Sequence, residues 1–345
     1  MSEPVLSICI ATRNRAGFIG ETLESIIAQA TDDVEIVVVD GASTDNTAEV
    51  MRVYQKRFPR LNYLRLAQNG GVDRDYSRAA ELARGEYCWF MTDDDLLKPN
   101  AIRRVLNQIP RGYDLIVVNA ENRTANQSRV ILDRRLKLDA DRVYSPGDME
   151  ALFKDTVYLM TYIGCIIIRR CIWNARDKVA YFGTWFVHIG VIFQARLGAD
   201  ALVLAEPLIS GRLGNISWND KSFEIWMFRW PQIVWSFPQF AETAKIKVVA
   251  KEPWRNLKAL MVHRGDGSYS ITMFHKWIAP HPTSALFKLA ANIIAHLPQC
   301  AVWLFVLIYF SLVRSARKTE RYVWLHMPVA QRCFGWLIPW LEQRL

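Results

Sequence analysis

The chain has 345 residues, of which 51% are hydrophobic, so it is long enough and apolar enough to form two domains. Its six cysteines include no C-x-x-C pair, which argues against a zinc site or a disulfide framework and for reduced thiols. The net charge is +9, and all of this excess lies in residues 241–345, which hold 14 Lys and Arg against 5 Asp and Glu. A basic segment of this kind favours an anionic partner, either nucleic acid or a membrane surface.

The first 120 residues alternate short apolar runs with segments of helical periodicity. Strands are predicted at residues 5–10, 34–39, 62–66, 87–91 and 114–119, and helices at residues 18–28, 47–58, 75–83 and 99–109. Residues 121–141 are polar and predict a loop or hairpin, and residues 162–168 form the last apolar run typical of a core strand. Near-continuous apolar strands that alternate with helices predict an α/β fold, with a mostly parallel sheet covered by helices on both faces.

Three consecutive acids, Asp93, Asp94 and Asp95, directly follow the fourth predicted strand. Ligands of open α/β sheets bind at this carboxyl end of the strands. Because three adjacent carboxylates repel one another, we expect a cation beside them, and their hard oxygen atoms suit Mg²⁺ or Mn²⁺. Phosphate oxygens commonly complete the coordination of such an ion. The alternative is that these acids are solvated or cap the following helix.

Polar side chains also follow the first three predicted strands. Thr12 and Arg13 follow the first strand, Asp40 ends the second, and Asp73 lies in the loop after the third. In a doubly wound sheet these positions meet along one edge. Together with the three acids they predict a cleft large enough for a nucleotide.

The same positions belong to longer stretches that share a family resemblance. In order and in spacing, the chain resembles the glycosyltransferases of family 2, which have the Rossmann-like GT-A fold. The resemblance rests on residues 8–15, 35–47, 69–72, 79–87 and 93–95. It is strong over residues 4–110 and fades towards residue 210. It therefore implies a GT-A catalytic domain over residues 1–215 that binds a nucleotide-sugar.

The resemblance implies a role for each of the polar side chains at the strand ends. Contacts with the nucleotide-sugar donor are implied for Thr12, Arg13, Asp40, Asp73 and Asp93. Asp95, together with Asp93, is implied as the ligand of Mn²⁺ or Mg²⁺. Such an ion suits sugar transfer because it stabilises the charge that develops on the diphosphate leaving group. The alternatives are structural: Asp40 as a turn cap, Arg13 as a surface cation and Asp73 as a turn residue.

An inverting transferase also needs a base that deprotonates the acceptor hydroxyl. In family 2 this base is often an acid of a Glu-Asp pair after the last core strand, but residues 181–196 contain no such pair. His188 lies near the expected position, and an ordinary imidazole pKa of about 6.5 suits a base at neutral pH. Asp177 is the second candidate. The alternative is that His188 is a hydrogen-bonded core residue.

The middle of the chain, residues 216–285, is rich in tryptophan. Trp226, Trp230 and Trp235 follow at spacings of four and five, which predicts either a core face or a platform for the acceptor. This region resembles the abequosyltransferase-like branch of family 2, which adds deoxysugars during bacterial O-antigen and lipopolysaccharide synthesis. The resemblance implies an undecaprenyl-diphosphate-linked oligosaccharide as the acceptor.

Residues 289–313 contain no charged side chain, and their length fits a membrane span. Pro298 divides this segment, and the basic stretch 314–321 follows it. A cytoplasmic catalytic domain and the positive-inside tendency would place both ends of the segment on the same side of a bilayer. We therefore expect a re-entrant or in-plane helix pair rather than a span, and an interfacial helix over residues 322–345. The alternative is a soluble helical subdomain.

Residues 286–345 are accordingly predicted to associate with a membrane. The expected location is the cytoplasmic face of the bacterial inner membrane, with the protein peripheral or monotopic. The expected partner of the basic segment is the membrane surface and not nucleic acid.

Two other functions compete with that of a glycosyltransferase. A nucleotidyltransferase that acts on sugar phosphates would also use an α/β sheet and acids on a metal, but it calls for a glycine-rich basic loop that residues 11–15 lack. The second is a non-catalytic scaffold with a degenerate transferase domain. The intact triplet of acids argues against it, because a scaffold would not need these residues.

Overall fold

The structure is a computed structural model that describes residues 3–215, 218–312, 318–335 and 338. The chain folds into two compact units. The first unit comprises residues 1–122, 133–211 and 237–244, and the second comprises residues 123–132, 212–236 and 245–345. The predicted boundaries at residues 215 and 285 stay predictions.

The first unit is built around a mixed sheet. Its strands are β1 (Leu6–Thr12), β2 (Val34–Asp40), β3 (Leu61–Arg65), β4 (Tyr87–Met91), β5 (Leu96–Leu97), β6 (Leu115–Arg123, whose last residue belongs to the second unit), β8 (Arg142–Tyr144), β9 (Ile166–Arg169) and β10 (Ala201–Arg212, likewise). The helices are α1 (Ile19–Ile27), α2 (Thr47–Arg57), α3 (Val72–Leu82), α4 (Ala101–Leu106), α5 (Met149–Met160), α6 (Arg170–Ala175) and α7 (Val187–Phe193). A short strand, β7 (Val130–Leu132), lies in the second unit.

The order of the strands places four carboxyl ends at one edge. The order is β3-β2-β1-β4-β9-β6-β10-β5, with β1, β2, β3 and β4 mutually parallel and β9 antiparallel between β4 and β6. Every residue of β1, β2 and β4 is buried, as expected for parallel strands covered on both faces. The predicted α/β fold with a mostly parallel sheet is confirmed.

Several elements differ from the prediction. Helix α3 begins at Val72 rather than at residue 75, so Asp73 lies in its first turn and not in a loop. Helix α5 was not predicted, and residues 163–165 form a 3₁₀ turn, so that β9 begins only at Ile166. The last core strand is β10, which was not predicted because Pro207 and Gly211 interrupt its apolar run.

The second unit is helical. Its helices are α8 (Ser222–Glu224), α9 (Trp230–Trp235), α10 (Glu242–Val248, shared with the first unit), α11 (Leu257–Asp266), α12 (Ile271–Met273), α13 (Ala285–His296), α14 (Gln299–Leu312), α15 (Lys318–Leu325) and α16 (Pro328–Phe334). Trp230 is buried, Trp226 packs against a buried cluster, and the indole of Trp235 donates to Val249 O. The three tryptophans therefore have the contacts of core residues.

Cys300 and Cys333 form a disulfide in the second unit, although the cysteine spacing predicted reduced thiols. The two residues are 33 positions apart and are brought together because α14 packs against α16. A search for short cysteine spacings could not have found this pair.

Within the described residues, no single helix is long and apolar enough to cross a membrane. Helix α13 and residues 299–310 of α14 together have the length and composition of a span, but they meet at a bend of 103°. A broken span, a re-entrant pair and the core helices of a soluble protein all share this length and composition. Residues 314–317 and most of residues 336–345, which were predicted to lie at the membrane surface, are outside the described residues.

Candidate functional site

Three of the predicted side chains meet at the carboxyl edge of the sheet. Thr12 ends β1 and is the register partner of Asp40, which ends β2. Met91 of β4 pairs with Ile10, so Asp93 lies two residues further on, beside Thr12. The Thr12 side chain lies near enough to Asp93 to oppose the rise that burial causes in the pKa of that carboxyl. Arg13 follows at the exposed rim.

Asp40 is buried, and both of its carboxylate oxygens accept hydrogen bonds. The backbone N–H of Ser43 donates to Oδ1 at 2.7 Å, and the hydroxyl of Tyr63 donates to Oδ2 at 2.7 Å. Burial and this bond to a carboxylate raise the pKa of the Tyr63 phenol. Asp40 is therefore fixed in orientation at the end of β2.

Asp75 was not predicted as a site residue, yet it lies within the influence of the Asp40 charge. It is buried on α3, and burial together with the charge of Asp40 raises its pKa to about 6, against the opposing effect of Arg13. Its Oδ2 packs so closely on Gly41 that a Cβ at that position would lie 2.6 Å away. The available signal was a second D-x-D sequence, Asp73-Arg74-Asp75.

Asp73 contacts the loop that precedes α7. Its Oδ2 accepts from the N–H groups of Gly183 and Trp185, both at 2.9 Å, and its Oδ1 accepts from Val187 N–H at 3.2 Å. Burial raises the pKa of this carboxyl although the three backbone donors oppose the rise. Both oxygens of Asp73 therefore already accept hydrogen bonds from the protein. The predicted contact of Asp73 with the nucleotide-sugar stays a prediction.

The three consecutive acids have different partners. Arg15 pairs with Asp93 and with Asp94, each at 3.5 Å. Burial nevertheless raises the pKa of Asp93 to about 6. Asp95 Oδ2 accepts from the hydroxyls of Thr92 and Tyr162, both at 2.6 Å, so its carboxylate is held in one orientation.

These acids fit a divalent ion that binds together with a diphosphate. Within the described residues, no group of three or more His, Cys, Asp and Glu side chains could hold a metal ion, so any ion here would depend on ligands from the substrate. Mg²⁺ is commonly bound through one or two carboxylates, with substrate phosphates and water as its other ligands. Two carboxylates could supply such a pair. Burial raises the pKa of Asp93 although Arg15 lies beside it, and two hydroxyls orient Asp95.

The structure fixes the tautomer of His188. The ring is buried at the start of α7, and Nε2 donates to Met160 O at 2.8 Å, so the lone pair lies on Nδ1. Nδ1 is buried and has no partner within the described residues. Burial lowers the pKa of His188 to about 4, so the ring is neutral at pH 7. A neutral ring with a bare lone pair has the form of a base, but its burial is also that of a core residue.

Asp177, the second candidate base, caps a turn. Its Oδ1 accepts from Val179 N–H at 2.8 Å, and the residue is exposed. Two bonds with Gln194 hold its backbone.

Comparison with known proteins identifies the first unit. Residues 7–173 match the family model described as glycosyl transferase family 2. The chain contains a family 2 glycosyltransferase domain. The match takes in the end of every strand that carries a predicted site residue.

Two bacterial glycosyltransferases are among the relatives of this chain. The abequosyltransferase RfbV of Salmonella typhimurium is 27% identical over 231 residues, which cover 63% of this chain and 69% of that protein. The glycosyltransferase GlyG of Streptococcus pneumoniae is 28% identical over 123 residues, which cover 35% of this chain and 40% of that protein.

Solved structures share the fold of this chain. Crystal structures of S. aureus TarS, residues 1–349, in complex with UDP and with UDP-GlcNAc, each align with a TM-score of 0.55. Each alignment covers 95% of this chain and 91% of the TarS chain, at 17% and 16% identity respectively. The predicted GT-A fold is confirmed.

Proposed function

We propose that the protein is a metal-dependent, inverting glycosyltransferase that moves a sugar from a nucleotide-sugar to a lipid-linked oligosaccharide in bacterial O-antigen or related polysaccharide synthesis. The observation that carries this proposal is the meeting of Thr12, Asp40 and Asp93 at one sheet edge, with Asp95 oriented beside them. The UDP and UDP-GlcNAc complexes of TarS support a nucleotide-sugar donor. The similarity to an abequosyltransferase supports the O-antigen context.

Different residues of this edge are assigned to different parts of the nucleotide-sugar. Thr12 and Asp40, at the ends of β1 and β2, would hold the nucleoside, and Asp93 and Asp95 would face the diphosphate and hold Mn²⁺ or Mg²⁺. Such an ion supplies Lewis-acid stabilisation of the leaving diphosphate. Arg15 lies beside Asp93 and Asp94 and adds positive charge at the same end.

A panel of nucleotide-sugars tests the function directly. We expect one donor to release its nucleoside diphosphate in the presence of Mn²⁺ and acceptor, and EDTA to stop the release. A nucleotidyltransferase would instead release pyrophosphate from a nucleoside triphosphate and a sugar phosphate. Binding of a donor without any turnover would favour the scaffold. The absence of binding to every donor would refute the proposal.

The base is tested at His188. A glutamine at this position can still donate to Met160 O but has no imidazole lone pair. If His188 is the base, His188→Gln should lower transfer by about 10²-fold or more while donor affinity and melting temperature stay close to the wild type. Asp177→Ala, at the exposed second candidate, is the matched comparison. Wild-type transfer by His188→Gln would identify His188 as a core residue.

We further propose that the second unit binds the cytoplasmic face of the inner membrane as a peripheral or monotopic element. Leu286, Leu289 and Ile293 lie on one face of α13 at spacings of three and four, and they are 77%, 58% and 53% exposed. Helix α14 exposes a similar face. Exposed apolar helix faces in a basic segment match an anionic bilayer surface.

The membrane proposal predicts the behaviour of two double variants. Leu289→Lys combined with Ile293→Lys should weaken sedimentation with anionic vesicles by about tenfold or more, because apolar contact is lost although positive charge is gained. The control places two lysines at exposed valines of the first unit, Val53 and Val179. Equal vesicle binding by both variants would show that charge alone holds the protein, and would refute the apolar contact.

A further inference from the structure

Asp75 is a buried acid with an unused hydrogen-bond acceptor. Only 3% of the residue is exposed, and its Oδ1 has no hydrogen-bond partner in the part of the chain that the structure describes. The neighbouring buried acids differ in this respect. Asp40 and Asp95 each accept from two donors, and Asp73 accepts from three. A buried carboxylate oxygen without a partner is costly, so its presence calls for a donor that the protein does not itself supply.

The position of Asp75 indicates which part of a ligand could supply that donor. The charge of Asp40 is the strongest ionic influence on Asp75, and Arg13 is the next. Arg13 follows β1 and Asp40 ends β2, whereas the acids assigned to the diphosphate follow β4. Asp75 therefore lies at the nucleoside end of the edge. Asp40, the acid beside it, already accepts from Ser43 and Tyr63.

Gly41 keeps this arrangement possible. A Cβ at residue 41 would lie 2.6 Å from Asp75 Oδ2, which is closer than two such atoms approach. The absence of a side chain there lets the carboxylate pack against the backbone that follows Asp40. The contact holds Oδ2 of Asp75 against Gly41, whereas Oδ1 is the buried oxygen that has no hydrogen-bond partner among the described residues.

We propose that Asp75 binds the nucleoside of the donor, with Oδ1 accepting a hydrogen bond from an N–H of the base or from a ribose hydroxyl. Asp75 is then a specificity-determining residue, because a nucleoside that lacks the matching donor leaves the carboxylate oxygen unpaired. This inference rests on the proposed nucleotide-sugar transferase function.

Calorimetry with the whole chain and Mn²⁺ tests the inference. The probes are UDP, CDP, GDP and dTDP, then the 2′-deoxy, 3′-deoxy and base N-methylated forms of the nucleotide that binds best, and inorganic pyrophosphate. We expect one analogue to bind the wild type at least about tenfold more weakly than its parent, which corresponds to the loss of one hydrogen bond to a charged group. A deoxy analogue would identify a ribose hydroxyl, and an N-methylated one would identify the base.

Asp75→Asn provides the second arm. We expect it to weaken binding of the parent nucleotide by about tenfold or more, to remove the difference between parent and analogue, and to leave pyrophosphate binding unchanged. Asp33→Asn, which removes one charge at an exposed position, is the control. The inference is overturned if no analogue binds the wild type more weakly, or if Asp75→Asn binds nucleotides as the wild type does. A wild type that binds no nucleotide at all would refute the proposed function instead.

Discussion

Asp95→Ala should abolish sugar transfer, with a loss in kcat of about 10³-fold or more. The carboxylate is held by two hydroxyls at 2.6 Å, and the hydroxyl of Thr22 donates to the backbone O of the same residue at 2.9 Å. A carboxylate this firmly oriented can act as a ligand without rearrangement. Its removal would leave the charge on the departing diphosphate without a correctly placed ion. The measurements are kcat with the donor found by the panel and Mn²⁺-dependent nucleotide binding by calorimetry.

Asp94→Ala is the matched comparison for this variant. It removes the same charge from the same triplet, but Asp94 pairs with Arg15 and is not held by the Thr92 and Tyr162 hydroxyls that orient Asp95. We expect a loss at least about tenfold smaller than that of Asp95→Ala, and Mn²⁺-dependent binding that persists. Asp95→Ala with more than about a tenth of wild-type activity and an unchanged Mn²⁺ requirement would remove Asp95 from the metal site.

The strand ends could be read from the sequence because parallel strands follow simple rules. A buried apolar run that stops at a polar residue marks a carboxyl end, and neighbouring parallel strands bring these ends to one edge. Thr12, Asp40 and Asp93 were placed together on this basis, and the register confirms the placement. Local patterns and one topological rule were sufficient.

The choice between Asp73 and Asp75 could not be made in this way. A helix turns by about 100° per residue, so two residues separated by one position point to nearly opposite sides. Because α3 begins at Val72, Asp73 points to the loop before α7 and Asp75 points towards Asp40. The predicted helix began three residues late and left Asp73 in a loop, so this difference was lost.

Local sequence patterns also could not predict the environment of His188. Its partner, Met160, ends a helix that was not predicted, and the same turn carries Tyr162, which donates to Asp95. The imidazole and the candidate metal ligand are therefore linked through residues 160–162. This link depends on packing between segments 28 to 67 residues apart, which no motif reports.

Asp73→Ala should destabilise the first unit by about 3–5 kcal/mol, because it leaves three backbone N–H groups without their charged acceptor. The loop that these bonds hold contains a strained residue, since Trp185 has a φ angle of +73°. Positive φ is a genuine outlier for a bulky residue such as Trp and persists only where surrounding contacts impose it. Without Asp73 we expect Trp185 to relax to an ordinary conformation and the loop to lose its fixed approach to His188.

Hydrogen exchange separates this structural role from a role in donor binding. In Asp73→Ala, the amides of Gly183, Trp185 and Val187 should exchange much faster than in the wild type, and urea should unfold the protein at a lower concentration. Asp32→Ala, at a side chain that is 90% exposed, should change neither quantity. If these amides stay protected while nucleotide affinity falls, Asp73 contacts the donor, as the family resemblance implies. If they lose protection, Asp73 acts by positioning the loop that leads to the candidate base, which agrees with Asp75 as the acid of α3 proposed to face the nucleoside.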